Sequence, residues 1–325
     1  MKIFIRKILN LVLTNNYFYK IDKFYSYLKR YLTYYSNLKN INNYINGYWG
    51  LVTFPFFGNG IFITKQKNTI NIPRKYWHTL PMVADIISYG GYPSWIDGKI
   101  QIERDGVFLV SSPIDRSFAE SIKEMFIVDE YRLNNKNIKG KTILDIGANI
   151  GDTAIVFSKL GAKKIYSFEP LTMLKEYLIE NINLNGLNHI IEPHFVGLSD
   201  KDDTIDIWAM EFGSAGASAE LHRQEVREYK PGYIKQTLQI RNAMNYFKIH
   251  NINDIDIIKM DCEMCEYALL KDDTLLKILD PELVMIEYHN KADSLISILG
   301  NCGYNCSQFP KNERVGIINA EKYLS

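Results

Sequence analysis

From Lys141 onward the chain alternates short, continuous apolar runs with longer stretches in which apolar residues recur every three or four positions. "TILDIG" precedes a helical pattern at 152–160, "KIYSF" one at 171–185, "IDIIKMD" one near 265–279 and "ELVMIEYH" one at 291–300. Apolar runs without polar alternation are strands covered on both faces, and helices between them make successive strands parallel. The pattern predicts an α/β fold with a doubly wound, mostly parallel sheet. "IIEPHFVGL" reads as a further strand, followed by an insertion over about 200–245. The closing runs "GYNCSQF" and "RVGIINA" are too close for a crossover helix, so they predict an antiparallel hairpin and one reversed strand near the sheet edge.

The part before Lys141 has a different texture. From Ile21 the residues Phe24, Leu28, Tyr31, Leu32, Tyr35 and Leu38 recur at helical steps among Lys23, Lys29, Arg30 and Lys39, which predicts a basic amphipathic helix. Residues 40–115 are rich in Asn, Tyr, Gly and Pro, and "IQIERDGVFLV" alternates around Asp105-Gly106 as a hairpin does. Residues 115–133 read as a helix leading into the first regular strand. The organisation expected is a basic helical extension over 1–70, an accessory hairpin and helix over 71–135, and a Rossmann-like domain over 136–325.

Length and composition change this picture little. The 325 residues are 46% hydrophobic with a net charge of +1, as in an ordinary cored globular protein. Charge is unevenly spread: residues 1–40 carry eight Lys or Arg against Asp22 alone, a net +7, which leaves about −6 on the remainder. A basic helix of this kind suits an anionic surface, so a peripheral membrane contact through residues 1–40 is one expectation, and packing of its Tyr/Leu stripe on the next domain is the other. The opening "MKIFIRKILNLVLTNN" lacks a cleavage site of small residues, and no stretch approaches the roughly 18 apolar residues of a membrane span. Four cysteines in this length make no disulfide framework. A cytoplasmic location is expected.

In such sheets the ligand lies beyond the carboxyl ends of the strands at the switch point, which directs attention to "TILDIGANIGD". A dinucleotide loop would have glycine where Asn149 stands. Asp145 and Asp152 flank the loop, where carboxylates would repel a pyrophosphate but suit a cation. Eighteen residues after Gly151, Glu169 ends the second strand before Pro170, placed to accept the two hydroxyls of a ribose. A positively charged, ribose-bearing ligand without phosphate fits this set, and S-adenosylmethionine is such a molecule. Gly147 and Gly151 also serve as turn residues whatever the ligand.

The strand "IDIIKMDCEMCEY" supplies a second cluster. Strand alternation would point Lys259, Asp261 and Glu263 one way and Cys262 the other. The next strand ends "IEYHN", with Glu287 and His289 on one face, so Asp261, Glu263, Glu266, Glu287 and His289 are expected around one cleft. Lys259, flanked by acids, is expected to stay protonated in a structural role. Cys262/Cys265 and Cys302/Cys306 fall at opposite ends of the sheet, so they are expected as small buried residues and not as a shared metal site. The acids could hold a divalent ion, but their spacing is not diagnostic and no metal ligands are assigned. "EFGSAGASAELHRQ" in the insertion reads as a lid or a hairpin tip, with His222 and Arg223 solvated.

Through "FIVDEYRL", "ILDIGANIGDTAIVFSKLGAKKIYSFEP", "VGLSD", "IDIIKMDCEMCEY" and "MIEYH", residues 115–320 resemble the FkbM family of methyltransferases. The resemblance implies a seven-stranded class I methyltransferase sheet, S-adenosylmethionine as donor, and O-methylation of hydroxyls, often on sugars or secondary metabolites. It implies that Asp145, Gly147, Asn149, Gly151 and Asp152 line the donor, that Glu169 holds its ribose, and that Ser199 and Asp200 lie near its adenine. Asp261, Glu263 and Glu266 match the family's D-x-E-G-x-E, with Met264 in place of the glycine. If that glycine takes a positive φ, methionine costs strain or narrows the cleft.

Methyl transfer to an alcohol needs positioning and removal of a proton, for which His289 and Asp261 are the candidate bases. Glu263 and Glu287 are candidates to bind acceptor hydroxyls. The acceptor expected is a small molecule or glycan. Methylation of RNA through the basic amino-terminal segment is the alternative enzyme reading, although the catalytic domain lacks a basic surface and nucleic acid is not the expected partner. A donor-binding module inactivated at Met264 is the alternative outside catalysis.

Overall fold

The computed structural model describes residue 34 and residues 36–46, 61–64, 69–113, 115, 118–210 and 233–322. The basic segment up to residue 33, and residues 211–232 with His222 and Arg223, lie outside the described residues, as does the expected basic helix for the most part. The chain forms two compact units, Met1–Asp97 and Gly98–Ser325, so the expected 71–135 segment is divided between them.

In the first unit, helix α1 (Leu38–Tyr44) is followed by antiparallel β1 (Ile61–Ile63) and β2 (Thr69–Asn71), then by helix α2 (Leu80–Ser88) and β3 (Tyr92–Ile96). Apolar residues at helical steps on α2, Leu80, Val83, Ile86 and Ile87, are buried with Ile41 and Ile45. This is how a short amphipathic helix acquires stability it lacks alone.

The second unit opens with the hairpin read from the sequence, β4 (Lys99–Arg104) and β5 (Val107–Ser111). Asp105 and Gly106 both take positive φ, 51° and 73°, as a two-residue type I′ turn requires. Helix α3 (Phe118–Lys123) widens into a π-helical turn over Glu124–Val128 and stops at Asp129 in the left-handed region, so it is shorter than the expected 115–133.

The main sheet is built from β6 (Thr142–Ile146), α4 (Asp152–Lys159), β7 (Lys164–Phe168), α5 (Lys175–Leu184) and β8 (Ile191–His194) on one side of the switch point. A small side sheet follows, in which β9 (Gly197–Ser199) pairs parallel with β11 (Tyr233–Asn242), itself antiparallel to β10 (Asp203–Met210). Then come α6 (Ala243–His250), β12 (Ile257–Met260), α7 (Cys265–Leu269), α8 (Thr274–Leu279), β13 (Leu283–Tyr288), α9 (Asp293–Asn301), β14 (Tyr304–Pro310) and β15 (Gly316–Lys322). The strand order is β14-β15-β13-β12-β6-β7-β8, with only β15 reversed. This is the doubly wound, mostly parallel seven-stranded sheet expected, with its reversed strand near the edge.

Two expected elements are divided. "IIEPHFVGL" is not one strand: β8 stays in the main sheet, while β9 leaves it to pair with β11 at the base of the insertion. The helix near 265–279 is broken at Leu270, where the charged run Lys271-Asp272-Asp273 turns to solvent before α8.

Strands β6, β12 and β13 are buried on both faces, and Ile143, Leu144, Ile257, Ile258, Val284 and Ile286 are inaccessible. Each such side chain contributes roughly 1.5–3 kcal/mol by leaving water, which fixes the strand ends that carry the site. A polar device adds to this. Asn181 on α5 and Asn185, which caps its carboxyl end one turn later, face β5 as a neighbouring strand would: each exchanges a pair of hydrogen bonds with the backbone, Asn181 with Val110 and Asn185 with Phe108. Asn181 Nδ2 also donates to the carbonyl of Ile150, which ties the hairpin to the glycine loop after β6.

Candidate active site

At the carboxyl ends of the strands lies a cleft of about 640 Å³, whose wall includes Gly147, Asn149, Asp152, Glu169, Ser199 and Asp200 on one side and Asp261, Glu263, Glu287 and His289 on the other. The switch point between β6 and β12 creates it.

Gly147 takes φ 82°, and a Cβ there would lie 1.7 Å from the carbonyl oxygen of Asp261. The chain leaving β6 therefore passes backbone against backbone over the end of β12. Gly151, at φ 87°, caps α4. Lys259 fills the space beneath: its Nζ donates to the Gly147 carbonyl at 2.8 Å and lies 3.2 Å from Asp145 Oδ1. Burial alone would lower the Lys259 pKa, but Asp145, Asp261 and Asp152 outweigh it and hold the ammonium above its ordinary value. Its role is structural, as its flanking acids suggested. Asp145 is fully buried beneath the cleft, and burial raises its carboxyl against the opposing pull of Lys259. Asp145 and Gly151 thus support the wall without forming it.

Glu169 ends just beyond β7. Its Oε2 accepts from the backbone N–H of Asn149 at 3.0 Å, and its Oε1 from that of Leu171 at 2.9 Å. Each oxygen keeps a lone pair for the cleft. Burial pushes its pKa up to about 7 despite those hydrogen bonds, and burial likewise brings Asp152 to about 6. Across the cleft floor, Ser199 donates to Asp200, which pairs with Lys271 at 2.6 Å and is held below the usual carboxylate range by that bond.

The second cluster comes together as the sequence suggested. His289 Nε2 lies 3.8 Å from Asp261 Oδ1 and 3.7 Å from Glu263 Oε2. Behind it, the inaccessible carboxylate of Glu266 meets both the His289 backbone N–H and its Nδ1 at 3.2 Å. Burial would lower the His289 pKa, but the Glu266 hydrogen bond and the charges of Glu263, Glu266 and Asp261 push it up to about 9. Glu287 is pushed up to about 8 by burial and by Asp261, with Lys311 opposing at 2.9 Å.

Two readings of the loop after β12 are corrected. The strand stops at Met260, so alternation no longer applies, and Cys262 lies on the same cleft wall as Asp261 and Glu263. Cys262 and Cys265 are joined in a disulfide, not held as separate buried thiols; Cys302 and Cys306 are free. Between the paired cysteines, Glu263 (φ 54°) and Met264 (φ 89°) both adopt left-handed backbone. The position of the family's glycine thus does require a positive φ, at a cost on the order of 1 kcal/mol for methionine.

Several residues at the site had no sequence signal. Tyr131 donates to Asp261 Oδ2 at 3.3 Å, and Lys311 bridges Glu287, Glu130 and Glu124, the last at 3.5 Å. Glu124 is raised to about 7 by burial and by Glu130. Tyr131 and the two glutamates precede the sheet, and Lys311 lies in its final hairpin. The fold alone brings them together, although "FIVDEYRL" did carry part of the family likeness.

The fold and cleft define a doubly wound α/β domain with a ligand site at the switch point of its main sheet. Residues 145–306, just under half of the chain, match the model of the methyltransferase FkbM domain. Among curated proteins, the Arabidopsis thaliana "Protein arginine N-methyltransferase PRMT10" is 36% identical over 59 residues, which span 18% of this chain and 15% of that protein. Among solved structures, M. jannaschii TYW2 in complex with AdoMet is 15% identical with a TM-score of 0.41, covering 70% of this chain and 88% of that one. Ribosomal protein L11 methylase from Lactobacillus delbrueckii subsp. bulgaricus is 15% identical with a TM-score of 0.36, covering 60% and 78%.

Proposed function

We propose that the protein transfers the methyl group of S-adenosylmethionine to a hydroxyl of a sugar, glycan or other small molecule. The observation that carries this reading is Glu169, a buried carboxylate fixed beside the glycine loop with a lone pair on each oxygen turned to the cleft. The donor-side wall offers acids and backbone to a cationic, ribose-bearing ligand. Asp261, whose backbone touches Gly147, joins the donor-side wall to the acceptor-side cluster. Asp261 is the group placed to receive the hydroxyl proton, while His289, kept protonated by its surrounding acids, can donate to the acceptor, and Glu263 and Glu287 suit neighbouring hydroxyls. An acceptor wall this acidic disfavours a polyanion such as RNA.

Calorimetry of S-adenosylmethionine binding to the wild type and to Glu169→Ala tests the donor. Micromolar binding weakened by about 1.5–3 kcal/mol in the variant is expected. Absence of binding by a folded wild type would overturn the reading. Turnover on a panel of free saccharides, read as release of the demethylated donor, then tests the acceptor class.

A further inference from the structure

We propose that Asp261, Glu287 and His289 form a binding site for one divalent cation of the Mn²⁺ or Mg²⁺ kind. Each offers a ligand atom, and the three atoms lie within 4.8 Å of one another. That separation suits groups sharing one ion with bonds of about 2.0–2.4 Å.

What lifts this above a chance gathering of acids is how each side chain is held from behind. His289 meets the inaccessible carboxylate of Glu266 through Nδ1, which sets the ring so that Nε2 faces the cleft. At 3.7 and 3.8 Å from its nearest carboxylate oxygens, Nε2 is beyond hydrogen-bond reach of them. Asp261 accepts from the Tyr131 hydroxyl at Oδ2, which leaves Oδ1 toward His289. Glu287 takes Lys311 at Oε1, and among the described residues Oε2 has no hydrogen bond. In all three, one atom is engaged by an outer partner and the other faces the cleft, His289 Nε2 becoming a ligand as the ion displaces its proton. Histidine and carboxylate ligands of metals are oriented in this way.

Local charge points the same way. Lys311 serves Glu124, Glu130 and Glu287 together, and Asp261, Glu263 and Glu266 gather around the single imidazole of His289. Two carboxylates and one imidazole, with open positions toward the cleft, favour a hard or borderline ion that keeps some water. The role of the ion rests on the function proposed above. It would draw in an acceptor hydroxyl and lower its pKa, with Asp261 and His289 then acting as ligands and the hydroxyl proton passing to Glu263 or to solvent.

Titration of the full chain with Mn²⁺, followed by the loss of the free-ion paramagnetic resonance signal, tests the site. One ion per chain is expected, displaced by excess Mg²⁺. Asp261→Asn and His289→Gln should each weaken binding at least about tenfold, and Glu266→Gln should do so through the imidazole. Glu287→Gln supplies a further ligand variant should one of these fail to fold. No binding by folded wild type at millimolar Mn²⁺, or binding indifferent to all four substitutions, would overturn the proposal. S-adenosylmethionine calorimetry on the same samples separates the two readings: ion binding without donor binding would remove the methyltransferase function and leave the ion site standing.

Discussion

Gly147 and Asp261 meet backbone to backbone, so closely that a Cβ on the first would lie 1.7 Å from the carbonyl oxygen of the second. The glycine allows the loop after β6 to cross the end of β12, and Lys259 braces the crossing by donating to the Gly147 carbonyl. Gly147→Ala must therefore push two central strand ends apart as well as strain a positive φ. Overpacking and strain together predict a loss of at least about 2–3 kcal/mol. Urea denaturation measures this. A variant within about 0.5 kcal/mol of wild type would show that the crossing can relax.

The raised pKa of Glu169 gives donor binding a pH dependence of definite sign. An acid whose folded pKa is above its unfolded one favours folding most at low pH, and that contribution disappears as pH rises through about 7. Hydroxyls donating to the carboxylate favour its charged form, so the donor binds the deprotonated protein. Affinity should be nearly constant above neutrality and fall roughly tenfold per pH unit below it, with Asp152, near 6, adding to the slope. Calorimetry across this range checks the slope, and Glu169→Gln should flatten most of it. A flat wild-type profile would show that Glu169 does not hold the ligand.

Much of this site was legible in the sequence because strand periodicity and the switch-point rule place strand ends without knowledge of side-chain contacts. Asp261, Glu263, Glu287 and His289 were assignable to one cleft for that reason. Alternation misled at Cys262, since β12 had already ended at Met260 and the loop turns through left-handed backbone at Glu263 and Met264. Tyr131 and Lys311 were illegible because they reach the cluster from a segment before the sheet and from its last hairpin, a relation set by packing alone.

Asn181 was likewise invisible, as a polar residue on a helix with no periodic role. Fully buried, it satisfies both backbone groups of Val110 and the carbonyl of Ile150. Asn181→Leu keeps the bulk and leaves those groups unpaired, at a cost of about 1–3 kcal/mol for each buried group left unsatisfied. Because Ile150 belongs to the glycine loop at which we propose the donor binds, the variant should also weaken S-adenosylmethionine binding without contacting it. Parallel urea denaturation and calorimetry would test both effects; a loss of stability with unchanged affinity would separate the hairpin from the site.

The disulfide between Cys262 and Cys265 closes a very short loop around two left-handed residues, Glu263 and Met264. Chain entropy assigns such a closure roughly 2 kcal/mol, enough to offset the strain of a non-glycine residue at φ 89°. Reduction, or Cys265→Ser, should therefore lower stability by about that amount. Met264→Val should cost a further 1–2 kcal/mol or so, because a branched side chain tolerates that φ least. Met264→Gly should be tolerated, strain relief opposing the greater freedom of the unfolded chain. Denaturation of oxidised and reduced samples gives these differences, and alkylation before and after reduction shows which cysteines pair. Equal stability in both redox states would mean that Glu263 and Met264 hold their backbone without the bond.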